Sequence, residues 1–594
     1  MSPMLKNSQR ESFWIGALVF SIAFGITMAA CRITIAPGVG AGSAAGWAAE
    51  SIGEGNGHTA ILAPLFRLMV RFTGSLGPVK DAALRLNYLT TIGHSLAAGI
   101  ISIGLLFFFR RWKIWGAPMV AAWGGILAGV TRLGWASALL VNPATWSLAL
   151  SILSFVLLVY SYDSPEKKLS NRLFLLAGWT MGLSLAVHLA AIIIMPLFLG
   201  TIILNKNKIE RHAFLMLILG IAIPLSLFIL LKAKPFFLVY GLFVAPPGIS
   251  ELADLKFVGW SGLWALTPAA LPFALWGLVK LLIQYPKFRI LFVLLAFGII
   301  AGGFSGTDFY QFAALALSTV IAILAVTGIA DILNRLAGGY AFALWLLIPF
   351  IWWGHGSLLN RNDETIWETH VSNAIRTVRL NSLVLSVDDE LINAPYAYLR
   401  IAKNMRQDLA VFNPIHLNEP GYLDRLEKRM GSRLDIVRGE FDALRKVADQ
   451  SEPGNFVMEK TTSDFLTGLV RAEVKRSGVL IAPGVRFPAK EFSQVAEGLF
   501  VRLLDDRDPY PFHFTGLDME PIEFSPGDPS LKQHLVAMYP MMFASRGSWM
   551  LKKRFTAEGI DYIRWALKID PDYIPAKILA NDYGISGPPQ YLGK

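Results

Sequence analysis

The sequence predicts a mostly α protein: a polytopic membrane helix bundle of about eleven spans, then a soluble α/β domain and a C-terminal tetratricopeptide-like helical hairpin. Three observations predict it. The 594 residues are 54% hydrophobic, far from the composition of an average soluble chain. Nearly all of the apolar excess falls between Phe13 and Trp353, while residues 360–594 read as an ordinary soluble sequence. The basic residues gather in short clusters at the ends of apolar runs, where they set topology. The expected division is therefore a transmembrane domain over 1–358 with an outward loop at 32–86, a periplasmic α/β domain over 359–530 and a helical repeat-like segment over 531–594.

A membrane helix needs about 20 apolar residues, or somewhat fewer where neighbours shelter its ends. Runs that meet this lie near 12–31, 90–109, 116–131, 144–160, 173–187, 189–204, 212–232, 262–282, 288–303, 311–329 and 339–354. Under that count Lys6 and Arg10, Arg110–Lys113, Lys167, Lys168 and Arg172, Lys206–Arg211, and Lys287 and Arg289 all fall on one face. The excess of Lys and Arg makes it cytoplasmic. The N-terminus is then cytoplasmic and everything after 355 lies outside a bacterial inner membrane. One long helix in place of the pair 173–204 would reverse everything downstream.

The same placement of charge accounts for the net +11 without a nucleic-acid partner. A single cysteine, Cys31, excludes an intramolecular disulfide framework. It ends the run Met28-Ala29-Ala30-Cys31, which reads either as an imperfect lipoprotein signal or as an uncleaved first span.

Between the first two spans, Ile61, Leu62, Leu65, Phe66, Leu68, Met69 and Phe72 recur at helical spacing with Arg67 and Arg71 between them. This predicts a helix lying on the membrane surface or packed on the bundle. After the last span the pattern alternates: helices near 363–379, 393–405, 420–430 and 440–449, and strands near 382–387, 408–413, 477–482 and 498–503. Such alternation predicts an α/β layer with some parallel strands. Residues 538–551 and 557–569 form the expected hairpin, with Gly547, Ala566 and Pro571 at repeat-like offsets.

No phosphate-cradling loop, zinc spacing or nucleophile elbow occurs in a fitting context. The candidates are polar groups at the outer ends of the spans. Glu50 and Glu54 lie four apart in the first outward loop, with His58 just beyond. Either carboxylate could be the general base that activates an acceptor hydroxyl, or both could be ordinary solvated acids. No motif fixes a cofactor; a divalent cation on a sugar-phosphate is one that such carboxylates would hold.

Arg132, with Trp135 and Asn142, lies in the next outward loop. It could clamp the phosphate of a lipid-linked sugar or snorkel to headgroups. His188 sits among apolar residues at an outward turn, as a substrate-binding group or a hydrogen-bonded structural one. Asp308 and Tyr310 repeat the case more weakly. Asp388-Asp389-Glu390 follows a strand and would bind a cation or an acceptor, or cap a loop.

Three stretches together resemble the bacterial multi-pass proteins of the protein O-mannosyltransferase-like branch of the GT-C glycosyltransferases. They are Ala63-Pro64-Leu65-Phe66-Arg67-Leu68 with Leu84–Leu89, then Gly182-Leu183-Ser184-Leu185-Ala186-Val187-His188 with Pro196, and finally Leu383–Asp388, Tyr396–Tyr398, Arg406–Asn413 and Tyr422. The resemblance implies transfer of a sugar from a polyprenyl-phosphate donor to an acceptor on the outer face. Its partners would be that lipid-linked donor, the membrane, and a periplasmic protein or glycan acceptor.

The family's first-loop Asp has no counterpart here. A gap-free placement anchored on Arg67 puts Gly40 in its position and residues 54–59 across the following proline-rich run. Either Glu50 or Glu54 has taken over the role, or the chain is a non-catalytic scaffold or envelope-assembly component that kept the transferase fold.

Overall fold

The computed structural model describes residues 3–29, 44–53, 63–205 except 140 and 165, 209, 211–230, 270–303, 307–335, 366–418 except 377, 422–450, 456–485 except 484, 492–505 and 529–587. The chain forms two compact units. One comprises Met1–Trp47, Thr59–Gly77 and Asp81–Asp363; the other comprises Ala48–His58, Pro78–Lys80 and Glu364–Lys594.

The first unit is helical. Its elements are α1 (Pro3–Ala29), α3 (Pro64–Ser75), α4 (Ala82–Arg111), α5 (Ala117–Gly129), α6 (Arg132–Ala138), α7 (Pro143–Asp163), α8 (Lys167–Val187), a 3₁₀ turn (Leu189–Ile194), α9 (Met195–Leu204), α10 (Arg211–Leu230), α11 (Leu271–Gln284), α12 (Pro286–Gly303) and α13 (Thr307–Arg335). The short α2 (Ala44–Ser51) bridges the two units in sequence. Among the described residues five helical stretches are long and apolar enough to cross a membrane: Arg10–Met28, Val79–Arg111, Pro143–Asp163, Pro286–Gly303 and Gln311–Arg335. Shorter apolar helices cover Ala117–Gly129, Leu189–Leu204, Arg211–Ser226 and Leu271–Gln284. The expected span at 339–354 lies outside the described residues.

Proline opens several of these helices, α3, α5, α7, α9 and α11 among them. Its missing N–H is no loss there and its fixed φ suits the first turn. The α4–α5 connection turns through Lys113 and Gly116 at φ 55° and 65°.

Helix α3 joins both expected placements. Phe66 and Val70 are fully buried, with the Trp47 ring edge-on to Phe66 at 4.9 Å, whereas Leu68 and Phe72 stay exposed.

The basic clusters meet at one end of the bundle. Arg110 pairs with Glu11 and Arg111 with Asp163. The Trp112 indole stacks on Tyr285 and donates to its hydroxyl. Lys287 Nζ donates to Leu204 O at 2.9 Å, and the Trp115 amide to Asn334 Oδ1 at 3.1 Å. Glycines set the closest helix crossings. A Cβ on Gly277 of α11 would stand 2.0 Å from Leu324 O of α13, and one on Gly178 of α8 would stand 2.3 Å from Leu217 O of α10. Without hydrophobic drive between lipid-bathed helices, such backbone-to-backbone approach supplies the packing.

The second unit is built on a five-stranded sheet of order β2-β1-β3-β5-β4. Strands β1 (Leu383–Leu385), β2 (Ala410–Phe412) and β3 (Val479–Ile481) are parallel; β4 (Phe492–Glu497) and β5 (Phe500–Asp505) form an antiparallel hairpin against β3. All nine residues of the parallel strands are buried, as a sheet covered on both faces requires. The covering helices include α14 (Ile366–Arg376), α15 (Ala394–Ala402), α16 (Tyr422–Met430), α17 (Arg438–Gln450) and α18 (Phe456–Arg476).

In the turn after β1, Asp388 caps the Leu391 amide at 2.9 Å. The Asp389 carboxylate accepts from Asn393 and Asn413, each at 3.0 Å, and pairs with His416. Burial raises the Asp389 pKa, but the His416 and asparagine donors outweigh it and hold the group below the usual carboxylate value. With three donors on one carboxylate, the capped-loop reading of Asp388-Asp389 accounts for both side chains.

The C-terminal elements α19 (Pro529–Lys552), α20 (Thr556–Ile569) and α21 (Ile574–Asp582) follow. A helical pair alone leaves one face bare. Here α19 packs on β4, and the Tyr539 hydroxyl sits 3.1 Å from His370 Nδ1 and 3.4 Å from Asn373 Nδ2 on α14.

Candidate functional site

At the end of the bundle away from the basic clusters, polar side chains are buried at unusual density. Asn87, Thr90, Thr91, His94, Thr131, Asn142, Thr145, Ser147, Ser184 and His188 are each at most 6% exposed. Polar groups among apolar spans are retained where they satisfy one another or line a functional path.

Helix α5 shows why they are there. Its 13 residues rise about 20 Å, whereas a bilayer core is about 30 Å thick. The backbone therefore leaves the helix while still among apolar neighbours, and its last carbonyls need donors. His94 supplies one, Nε2 lying 2.7 Å from Gly129 O. A carbonyl only accepts, so this nitrogen carries the proton. Thr131 then caps α6, receiving the Gly134 amide at 3.3 Å and donating to Ala128 O at 3.2 Å. Arg132 is the first residue of α6.

The backbone at His188 is a second break. Helix α8 stops at Val187, His188 is extended (φ −156°, ψ 118°), and a 3₁₀ turn leads into α9. Serines clamp the break. Ser147 Oγ donates to Ser184 O at 3.0 Å and reaches His188 O at 3.4 Å; Ser184 Oγ donates back to Ser147 O at 2.7 Å. Ser151 and Ser184 hydroxyls lie 2.7 Å apart. The His188 ring stands edge-on to Phe312 at 6.2 Å.

The sequence-predicted residues divide accordingly. Helix α6, which Arg132 opens, and the turn at His188 both pack on α7 and α13 in the first unit. Glu50 is buried at 1% exposure on α2 and belongs to the second unit, as do Pro78–Lys80, whose carbonyls at Val79 and Lys80 lie 3.5 and 3.3 Å from the Tyr398 hydroxyl. Glu54 and His58 lie outside the described residues, as does Gly40. Of the next-loop pair, Trp135 is buried beside Leu139, and Asn142 caps α7 through the Ala144 amide at 2.8 Å. Among the described residues no three His, Cys, Asp or Glu side chains are close enough together to hold a metal ion.

His94 was not singled out by sequence reasoning, although a signal existed. Asn87, Thr90, Thr91 and His94 follow i, i+3, i+4, i+7 spacing, one polar face on an otherwise apolar span.

No curated protein matches the chain significantly. Among solved structures, ArnT from Cupriavidus metallidurans in the apo state aligns over 82% of this chain and 97% of its own, at 11% identity and a TM-score of 0.47. The same protein bound to undecaprenyl phosphate aligns with the same coverage and identity and a TM-score of 0.41. Residues 63–213, the stretch that holds α3 to α9 and every residue of the polar end named above, match the family described as the protein O-mannosyl-transferase TMEM260 N-terminal domain.

Proposed function

We propose that the chain is a membrane glycosyltransferase of the GT-C type. It transfers a sugar from a polyprenyl-phosphate-linked donor to an acceptor on the outer face of a bacterial inner membrane. The observation that carries the reading is the early end of α5, after which Arg132 is the first residue of α6, directly following the buried Thr131. An arginine at the end of an apolar stretch calls for an anionic partner, and a lipid phosphate offers bidentate geometry for a guanidinium. The family match over 63–213 supports the same chemistry.

In the proposed reaction the acceptor hydroxyl attacks the anomeric carbon and the bond from that carbon to the phosphate oxygen breaks with inversion. The polyprenyl phosphate leaves with the electron pair, its charge met by Arg132 and His188, while Glu50 or Glu54 takes the acceptor's proton and His58 binds substrate. No step is routed through a cation. The segment 359–594 is read as the periplasmic part, with an α/β domain at 359–530 and a tetratricopeptide-like hairpin at 531–594. A non-catalytic scaffold is the second reading, favoured by Gly40 standing where the family has Asp.

The test is transfer from a polyprenyl-phosphate sugar by the purified full chain in lipid nanodiscs, with Glu50→Gln, Glu54→Gln and the double variant. Removal of a general base lowers turnover by about 10²–10⁴-fold, and that loss is expected in one single variant and in the double. Full activity of the double variant overturns the mechanism; absence of any transfer together with unaltered partner binding favours the scaffold.

A further inference from the structure

We propose that the polar face of α4, Thr90, Thr91 and His94, is the device that positions Arg132 for an anionic lipid phosphate; the lipid's role rests on the function proposed above.

Three hydrogen bonds from this face reach three successive points of the 129–142 connection. His94 Nε2 holds Gly129 O, the end of α5, at 2.7 Å. Thr91 Oγ1 donates to Ala138 O, the end of α6, at 3.1 Å. Thr90 Oγ1 accepts from the Asn142 amide, the cap of α7, at 3.4 Å. The connection is thus pinned before, at the end of and after the seven-residue helix that Arg132 opens. A tight steric requirement lies at the same place. A Cβ on Gly134 would stand 2.5 Å from Thr131 Oγ1 and 2.9 Å from His94 Cε1. Glycine there lets the imidazole lie under the first turn of α6.

The spacing of the three donors and acceptors explains why they act together. Residues 90, 91 and 94 share one face of α4, so a single rigid helix sets all three anchor points. A charged side chain used for binding gains from this, because a rigid support leaves less freedom to lose when ligand arrives. His94 is a positioning residue in this arrangement; it acts through Gly129 and Gly134 and not on the sugar.

The experiment uses the full chain in nanodiscs, with Cys31→Ser and a spin label on Leu133→Cys, and undecaprenyl phosphate as the probe ligand. His94→Leu, which removes the donor, and Gly134→Ala, which wedges the turn, are expected to raise label mobility and weaken undecaprenyl phosphate binding at least tenfold. In a transfer assay they raise the donor KM by a similar factor and leave the acceptor KM unchanged. His94→Gln keeps a donor at the ring position and is expected to recover part of the loss. Thr91→Val conserves shape and is expected to loosen the label to a smaller degree, which guards against a misfolded His94→Leu. Label mobility and probe binding unchanged in both His94→Leu and Gly134→Ala overturn the positioning role. Arg132→Gln binding the probe as tightly as the parent, with mobility still raised in His94→Leu, instead overturns the phosphate-binding reading and leaves the anchoring of the loop standing.

Discussion

Gly277→Leu is expected to keep α11 from docking on α13. The two helices cross with their backbones in contact: a Cβ at Gly277 meets Leu324 O at 2.0 Å and Gly328 N at 2.9 Å, and a Cβ at Gly328 meets Phe273 O at 2.0 Å. No rotamer relieves a clash with backbone atoms, so the helices must separate and the contacts of Ala274, Ala325 and Val326 in the buried cluster loosen with them. Overpacking a core costs about 1–3 kcal/mol when side chains yield; here backbone must yield, and at least the upper end of that range is expected. Thermal unfolding in detergent, read by size-exclusion profile, should show a large fall in midpoint for Gly277→Leu and a smaller fall for Gly277→Ala. Gly25→Ala is the control, since nothing lies within 4 Å of its Cβ. An alanine in that helix should be neutral or mildly stabilising. Equal midpoints for Gly277→Leu and Gly25→Ala would remove the glycine crossing from the account of the bundle.

Arg406→Ala should have an effect of similar size on the second unit. The guanidinium donates from Nε and Nη2 to the two oxygens of Asp408, each at 2.9 Å. It also donates to Ile375 O at 2.9 Å, Val378 O at 2.8 Å and Arg379 O at 3.0 Å, so it satisfies the end of α14 as well. Removing one partner of a substantially buried pair costs about 3–5 kcal/mol, because the remaining charge and carbonyls are left without donors. The side chain is about one-fifth exposed, so the lower end is expected. Lysine should restore little, since an ammonium lacks the fork that spans both carboxylate oxygens.

A pH signature separates this pair from simple packing. The Arg406 hydrogen bonds are the main cause holding the Asp408 carboxyl down at about 2, with burial acting against them and the Asn381 amide assisting. A carboxylate depressed in the folded state stabilises fully above its unfolded value near 4, and loses that contribution as pH falls from about 4 to about 2. Stability of the parent protein should fall across that window more steeply than that of Arg406→Ala. Parallel profiles for the two would mean that the pair contributes no charge-dependent stability.

The sequence carried a good deal of this. Among the described residues, helices occupy most of the apolar runs read between residues 12 and 329, and five helical stretches are long and apolar enough to cross a membrane. The gathering of Arg110–Lys113 with Asp163, Tyr285 and Lys287 at one end follows from the positive-inside bias, because charged groups stay near water whatever the helices do between them. Strands β1, β2 and β3 were legible as short buried runs. Strand β4 was missed: only Val495 and Ala496 of Phe492–Glu497 are buried, so its period is weak, and what makes it a strand is pairing with β5. Helix α18 escaped for the same kind of reason, its polar residues Thr461, Thr462 and Ser463 hiding the face that packs on the sheet.

For the candidate site, the residue types were legible and their support was not. Arg132 and His188 were visible as polar residues in apolar surroundings, because charge and hydrogen-bonding capacity in such a setting are local properties. Their context depended on distances between segments far apart in the chain: Ser147 to Ser184, Thr91 to Ala138, His94 to Gly129. A polar residue at a helix break reads the same in sequence whether it caps a stranded carbonyl or faces a ligand. By itself the sequence determined which stretches are apolar enough to span, where the charge sits and which side chains could bear chemistry, since each is set by composition over a few turns. Tertiary structure alone decided that α5 ends early beneath His94 and that Glu50 falls in a different unit from Arg132 and His188. Hydrogen-bond satisfaction and backbone-level packing couple residues tens of positions apart, and no local pattern records which partner each will meet.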